Sequence, residues 1–254
     1  MAKTIAVVNQ KGGVGKTSTC INLCCALKMR NRRVLLCDCD PQGNSSSGMG
    51  VDKMAGASTY DVLMNGVMAN AAVVETKYGD VLPANRELAG ALIELVGMAK
   101  REYVLKEALE PLKNSYDYII IDCPPSLELL TLNALCAADC IIVPVQCEYF
   151  ALEGLTDLIG TLKTVNKQLN RDLNLEGIVL TMYDARTNLS VQVENEIRQY
   201  FPGKVYETYI PRNIRVSEAP SHGKPVIAYD RLSKGSRAYL RLASEFIKQQ
   251  EKSK

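Results

Sequence analysis

An α/β fold, a doubly wound and mostly parallel β-sheet with helices on both faces, is predicted by three observations. Short apolar runs alternate with helix-period stretches along most of the chain. The runs are apolar throughout rather than at every second residue, as in strands buried on both faces. Glycine-rich or acidic turns follow three of them, at the strand ends where such sheets hold ligands. The 254 residues suit one large domain, 1–254, with a sizeable core, and no repeat, low-complexity tract or linker divides them.

The first strand is predicted over Thr4–Asn9, on the apolar run Ile5-Ala6-Val7-Val8. Lys11-Gly12-Gly13-Val14-Gly15-Lys16-Thr17-Ser18 follows. Cys20, Leu23, Cys24 and Leu27 then recur at the spacing of a buried helix face, predicting a helix near 16–30. Strand, glycine loop, lysine, hydroxyl and helix in that order make a phosphate-binding loop. The general pattern has glycine where this chain has Gln10, so the form is a variant. Small residues let the backbone curl until its N–H groups face phosphate oxygens, and the helix adds its positive end. Lys16 is expected to reach the β and γ phosphates, and the Thr17 hydroxyl to bind Mg²⁺. Lys11 lies too early in the loop to duplicate Lys16. A glycine turn with two solvated lysines would not account for the ordered series.

The second strand, Val34–Asp38, runs into Asp38-Cys39-Asp40-Pro41-Gln42-Gly43-Asn44. Carboxylates beside a triphosphate repel it unless a cation or water intervenes. Asp40 is therefore expected to orient the attacking water, with Asp38 nearer the Mg²⁺. Pro41 and Gly43 mark a turn able to move when the γ-phosphate leaves. Segment 44–85 reads as the least regular part of the chain and is expected to be mobile. Helices near 86–97 and 101–113 precede the third strand, Tyr118–Asp122, whose terminal carboxylate has the pattern of an acidic strand end holding Mg²⁺ through water. Cys123-Pro124-Pro125-Ser126 makes a rigid exit. Helices near 127–137, 151–169, 188–200 and 233–250 then alternate with strands at Cys140–Val145, Ile178–Met182 and Val205–Ile210.

A net charge of +2 and 23% charged residues predict no general affinity for nucleic acid, so any such binding needs a local patch. No apolar run approaches the ~18–20 residues of a membrane span. The nine cysteines are an odd number, several in apolar runs with no signal-like segment before them, which favours free thiols and a reducing cytoplasm. Cys37 and Cys39 form a C-x-C, but no C-x-x-C occurs, so metal binding is not predicted. His222 lacks the neighbours of a catalytic triad and reads as a loop residue.

Lys11–Thr17, Asp38–Asn44 and Ile121-Asp122-Cys123-Pro124-Pro125 together resemble the ParA/Soj family of partitioning ATPases, a deviant Walker A group of P-loop NTPases. The likeness continues through Val143–Leu155, Asp184–Leu189, Ile210–Arg215 and Ser217–Pro225, so it spans essentially the whole chain. The resemblance implies ATP/ADP and Mg²⁺ as ligands, and Lys11 as a lysine that crosses to the nucleotide of a partner subunit. Gly12 would lie where the two loops meet. It further implies an ATP-dependent homodimer that binds double-stranded DNA without sequence preference through Arg186 and Arg215, with Lys204, Arg212, Arg237 and Lys248 as extensions. Met182, Pro211 and Asn213 would receive the adenine. A ParB/Spo0J-like protein would stimulate hydrolysis, and the protein would be cytoplasmic and nucleoid-associated. Gln146, Glu148 and Glu153 match a family motif and are expected to organise the dimer face.

Three alternatives stay open on sequence. A membrane switch of the MinD kind needs a basic amphipathic helix past the core, yet Tyr239, Leu242, Ala243 and Phe246 read as a packed face and Lys248–Lys254 is too polar to insert. An iron–sulfur carrier needs cluster cysteines that Cys123 and Cys136 do not match. A ParA-like protein positioning another cargo would have the same ATP site.

Overall fold

The computed structural model describes residues 1–252. Its strands are β1 (Lys3–Val7), β2 (Val34–Asp38), β3 (Asp80–Leu82), β4 (Tyr118–Asp122), β5 (Cys140–Gln146) and β6 (Asn174–Thr181). They form one sheet in the order β3-β2-β4-β1-β5-β6, every pair parallel. The α-helices are α1 (Lys16–Lys28), α2 (Asn44–Gly48), α3 (Thr59–Met64), α4 (Ala69–Ala72), α5 (Leu88–Glu94) and α6 (Val104–Leu109). They continue with α7 (Leu129–Ala137), α8 (Ala151–Gln168), α9 (Asn188–Tyr200), α10 (Ile214–Glu218), α11 (Val226–Tyr229) and α12 (Lys234–Lys252).

The predicted doubly wound α/β fold is the observed one. Side chains of a strand alternate between faces, and each central strand feeds two cores. Ile5, Val7, Leu36 and Ile120 pack with α1 and α12, while Ala6, Leu35, Cys37 and Ile121 pack with α5 to α9. Burial on both faces explains the unbroken apolar runs. Tyr239, Leu242, Ala243 and Phe246 of α12 are buried as expected, and Asn22 of α1 accepts the Val226 N–H at 2.8 Å. No helix among the described residues is long and apolar enough to cross a membrane. Ser253 and Lys254, the end of the polar tail, lie outside the described residues.

From β1 the chain winds towards β2 and β3, and from β4 it crosses β1 to β5 and β6. The crevice this leaves at the carboxyl ends is where such sheets bind ligands. Register does the rest: Asp122 of β4 pairs with Val7 of β1 on one side and with Asp38 of β2 on the other. The loops after residues 7, 38 and 122 are thus neighbours in space.

Two expectations are corrected. Segment 44–85 is not an irregular stretch: it holds α2, α3, α4 and the edge strand β3. Its serines read as loop formers but serve internal bonds. Ser58 and Asp61 close a capping box on α3, and Ser46 accepts the Ala84 N–H at 3.0 Å. The strand predicted over Val205–Ile210 is not formed. That segment runs beside β6 with only isolated bridges, Val205 to Ile178 and Pro211 to Tyr183.

Candidate functional site

The loop between β1 and α1 needs glycine at two places. Gly13 and Gly15 have φ of +76° and +89°, a left-handed region that costs other residues free energy. Gly15 is the N-cap of α1, and the Thr181 hydroxyl at the end of β6 donates to the Val14 carbonyl at 2.8 Å, pinning the loop's apex. Lys16 is largely buried, and its ammonium donates to the Lys11 carbonyl at 3.0 Å across the loop. Burial lowers its pKa, against the opposing pull of Asp122, Cys123 and Asp40. Gly12 differs from Gly13 and Gly15 in having no left-handed φ. A Cβ built at Gly12 meets nothing within 4 Å, as is also true at Gly13.

Lys11 stands at the mouth. Its N–H is held by Asn9 Oδ1 at 2.9 Å, and Asn9 is anchored to the Pro144 carbonyl at 2.8 Å. Its ammonium pairs with Glu148, just beyond β5, and the Lys11 side chain is 48% exposed. Asn9 and Thr181 carry no chemistry of their own in the sequence. Their function as braces arises from strands paired only after folding.

The turn after β2 is braced. Gln42 N–H donates to Asp40 Oδ1 at 2.9 Å, Gly43 N–H to the Asp40 carbonyl at 2.8 Å, and Lys53 reaches the Gln42 carbonyl at 2.8 Å. Gly43 has φ +62°, and a Cβ there would lie 2.3 Å from the Ala84 carbonyl oxygen. Asp40 lines the phosphate-side cavity of about 390 Å³ with Gly12, Lys16, Thr17 and Pro125.

The carboxylates expected to share Mg²⁺ have different surroundings. Asp38, fully buried, accepts the Asp40 N–H at 3.1 Å and both the N–H and hydroxyl of Ser46, at 2.9 and 2.6 Å. Those bonds commit Asp38 to holding the loop that carries Asp40. Asp122 is different: its Oδ2 is buried with no hydrogen-bond partner among the described residues. Its Oδ1 accepts weakly from the Cys20 thiol at 3.5 Å. Burial first, and then the Asp38 charge, push its carboxyl up to about 7. An orphaned buried oxygen with the Thr17 hydroxyl nearby fits a cation reached directly or through water.

This carries a pH prediction for the nucleotide-free protein. The folded pKa of Asp122 lies above its unfolded value, so the cost of burying the charge is present above pH 7 and relieved as pH falls toward 4. Relative to Asp122→Asn, the wild type should gain about 1.4 kcal/mol per pH unit in that window. Mg²⁺-dependent nucleotide affinity should fall over the same range and be flat in the variant. Denaturation midpoints and nucleotide titrations from pH 5 to 8 check both.

A second cavity, of about 310 Å³, opens beside the first and is lined by Thr181, Met182, Ile210, Pro211, Asn213 and Tyr239 among others. Met182 borders both cavities and has φ +48°, a conformation unusual for an unbranched apolar residue. Asn213 spends its Oδ1 on the Arg215 N–H at 3.1 Å, capping α10, so only its amide N–H₂ is left for a ligand.

Arg186 and Arg215 lie outside both cavities. Arg186 makes two bonds to Asp184, at 2.9 and 2.7 Å, and its side chain is 89% exposed. Arg215 pairs with Glu218 at 2.8 Å and Asp230 at 3.6 Å. The bridge between Tyr183 and Pro211 sets the two stretches side by side, with Arg212 acting on Asp184. The proposed extensions divide. Arg212 and Arg237 lie at this end, since Gly235 of α12 abuts Val216 and Asn213. Lys204 bonds the Leu175 carbonyl at the start of β6, and Lys248 sits near the Gln250–Glu176 contact, each roughly 20 Å away by strand or helix rise. All nine cysteines are buried and free, Cys37 and Cys39 with their sulfurs 3.7 Å apart. No metal-holding cluster of histidine, cysteine and acidic residues occurs among the described residues.

Residues 2–175 match the AAA domain family. The sporulation initiation inhibitor protein Soj of Bacillus subtilis is 56% identical over 250 residues, covering 96% of this chain and 98% of that protein. The chromosome partitioning protein ParA of Myxococcus xanthus is 51% identical, covering 98% of this chain and 89% of its own. Among solved structures, cobyrinic acid a,c-diamide synthase of Mycobacterium smegmatis with bound ATP analogue and magnesium superposes with a TM-score of 0.88 at 39% identity, over 100% of this chain and 98% of that one. The cell division ATPase MinD of Pyrococcus furiosus follows at 0.80 and 28%, over 98% and 99%.

Proposed function

Because this chain belongs to the ParA/Soj family of chromosome-partitioning ATPases, we propose that it works as an ATP-timed DNA-binding switch. Residues 1–254 act as one unit. Mg·ATP closes a sandwich dimer, the dimer binds double-stranded DNA without sequence preference, and a ParB/Spo0J-like partner stimulates slow hydrolysis and release. The protein is then cytoplasmic and nucleoid-associated. The likeness to Soj, at 56% identity, outweighs that to the diamide synthase at 39%.

The observation that carries this reading is the placement of the two loop lysines. Lys16 already occupies the phosphate cavity from within its own chain, whereas Lys11 stands half-exposed at the mouth. A cation held there is available to a second subunit's phosphates, and the open space at Gly12 leaves room for the partner's loop. Charge delivered in trans makes pairing depend on the triphosphate. Within one subunit, Lys16 and the α1 N-terminus bind the phosphates. Thr17 and Asp122 would hold Mg²⁺, which would supply charge neutralisation at the triphosphate. Asp40 orients the water that attacks the γ-phosphorus as the bond to the ADP oxygen breaks. Met182, Pro211 and the Asn213 amide enclose the base.

Arg186 and Arg215 must exchange their carboxylate partners for DNA phosphates. Two subunits presenting such patches together bind cooperatively and release counterions. Anisotropy of a labelled random-sequence duplex should rise with ATP and not with ADP. The salt slope should fall by about 0.9 for each DNA phosphate that is no longer neutralised, as in Arg215→Glu. Equal binding with ADP defeats the reading. Flotation of the ATP form with anionic vesicles points instead to a membrane switch.

A further inference from the structure

We infer that Glu148 is a positioning residue for Lys11: it holds the lysine on its own chain until a triphosphate-loaded partner takes it, and so sets the threshold for pairing. The inference rests on the function proposed above, in that Lys11 crosses between subunits.

Three observations support it. The ion pair between Lys11 and Glu148 joins positions 137 residues apart and engages the Lys11 ammonium within its own chain. Both partners are anchored from behind. Lys11 is tied through Asn9 to the Pro144 carbonyl in β5, and Glu148 N–H donates to the Gln146 carbonyl at the end of the same strand, at 2.8 Å. One strand therefore sets the reach of both. Finally, Glu148 opens a turn whose next residues, Tyr149 and Phe150, are 79% and 64% exposed and packed edge to face. Two adjacent exposed aromatics beside the loop mouth match a surface that a second copy covers.

The physical consequence is a competition. A single carboxylate neutralises the ammonium, and for the lysine to leave, its replacement must carry more charge than Glu148. The proposed competitor is the partner's γ-phosphate; a diphosphate is also multiply charged but lacks that terminal group. The pair is about half exposed, so its strength is modest. Each pair should oppose pairing by about threefold, the scale of an exposed ion pair. A two-fold dimer releases two of them, so the effects multiply to about tenfold.

The test uses the full chain and two readouts. The first is labelling of the Lys11 amine by an acylating reagent without nucleotide, followed by peptide mass spectrometry. Glu148→Gln should raise that rate several-fold, while labelling at Lys53 and Lys204 stays unchanged. The second is the ATP-dimer dissociation constant by analytical ultracentrifugation, which should fall about tenfold in Glu148→Gln and be insensitive to the same change in a Lys11→Ala background. An unchanged labelling rate overturns the inference, as does a Glu148→Gln dimer that is no tighter than wild type. A wild type that stays monomeric with ATP instead defeats the trans-lysine reading, and the labelling rate still reports on the pair.

Discussion

Asp40→Ala is expected to lower ATP hydrolysis by about 10²–10⁴-fold, the usual contribution of a positioned acid–base group, while nucleotide binding is retained. Asp40 lines the phosphate-side cavity, yet the turn that carries it is held by other groups: the Gly43 N–H on the Asp40 carbonyl, Lys53 on the Gln42 carbonyl, and Ser46 on Asp38. Among the described residues, the hydrogen bond that depends on the Asp40 carboxylate is the one from the Gln42 N–H. Removing the side chain therefore takes away the group that orients water without collapsing its support. A carboxylate beside a triphosphate also repels it, so the variant should bind ATP at least as well as wild type. The expected product is an ATP dimer that persists on DNA. Asp40→Asn separates the two jobs, since its amide oxygen can keep the Gln42 bond while the charge is lost. Both variants should be slow in single-turnover hydrolysis and should leave DNA slowly when chased with competitor. Wild-type turnover in either shows that another group places the water.

Lys11→Ala should produce the opposite failure, a chain that loads nucleotide but does not pair. Lys16, the loop N–H groups and the α1 terminus remain, so affinity for ATP should change only a few-fold. Each dimer loses two charge-assisted bonds, each worth about 1.5–3 kcal/mol, which predicts a dimer weaker by at least about 100-fold. Sedimentation velocity with ATP decides it, and a normal dimer removes the trans lysine from the mechanism. Lys16→Ala provides the contrast, because it should lose nucleotide before pairing can be asked about. Lys11→Ala and Glu148→Gln should shift the dimer constant in opposite directions, which mere loss of one surface ion pair does not explain.

Much of this was legible in chain order alone. Lys11–Ser18, Asp38–Gly43 and Asp122 are short segments whose chemistry depends on residues a few positions apart, and buried strands betray themselves by apolar runs. The fold class and the phosphate loop followed from those local signals. Segment 44–85 did not, because Ser46 and Ser58 look like loop formers until Asp38 and Asp61 are beside them. The bonds of Asp38 are hidden for the same reason: a carboxylate at a strand end reads as a metal-site residue, and its partner Ser46, eight residues on, becomes visible only in the fold.

Local chemistry, then, determined a curled glycine loop with two lysines between β1 and α1, the pattern of a phosphate-binding loop, because curling and charge are properties of adjacent residues. Packing alone settled which acid is left unsatisfied and which lysine is left at the rim. Those outcomes depend on β4 lying between β1 and β2, and on β5 bringing Glu148 back to Lys11. Such pairings join groups more than a hundred residues apart, and no periodicity along the chain encodes a distance across the sheet.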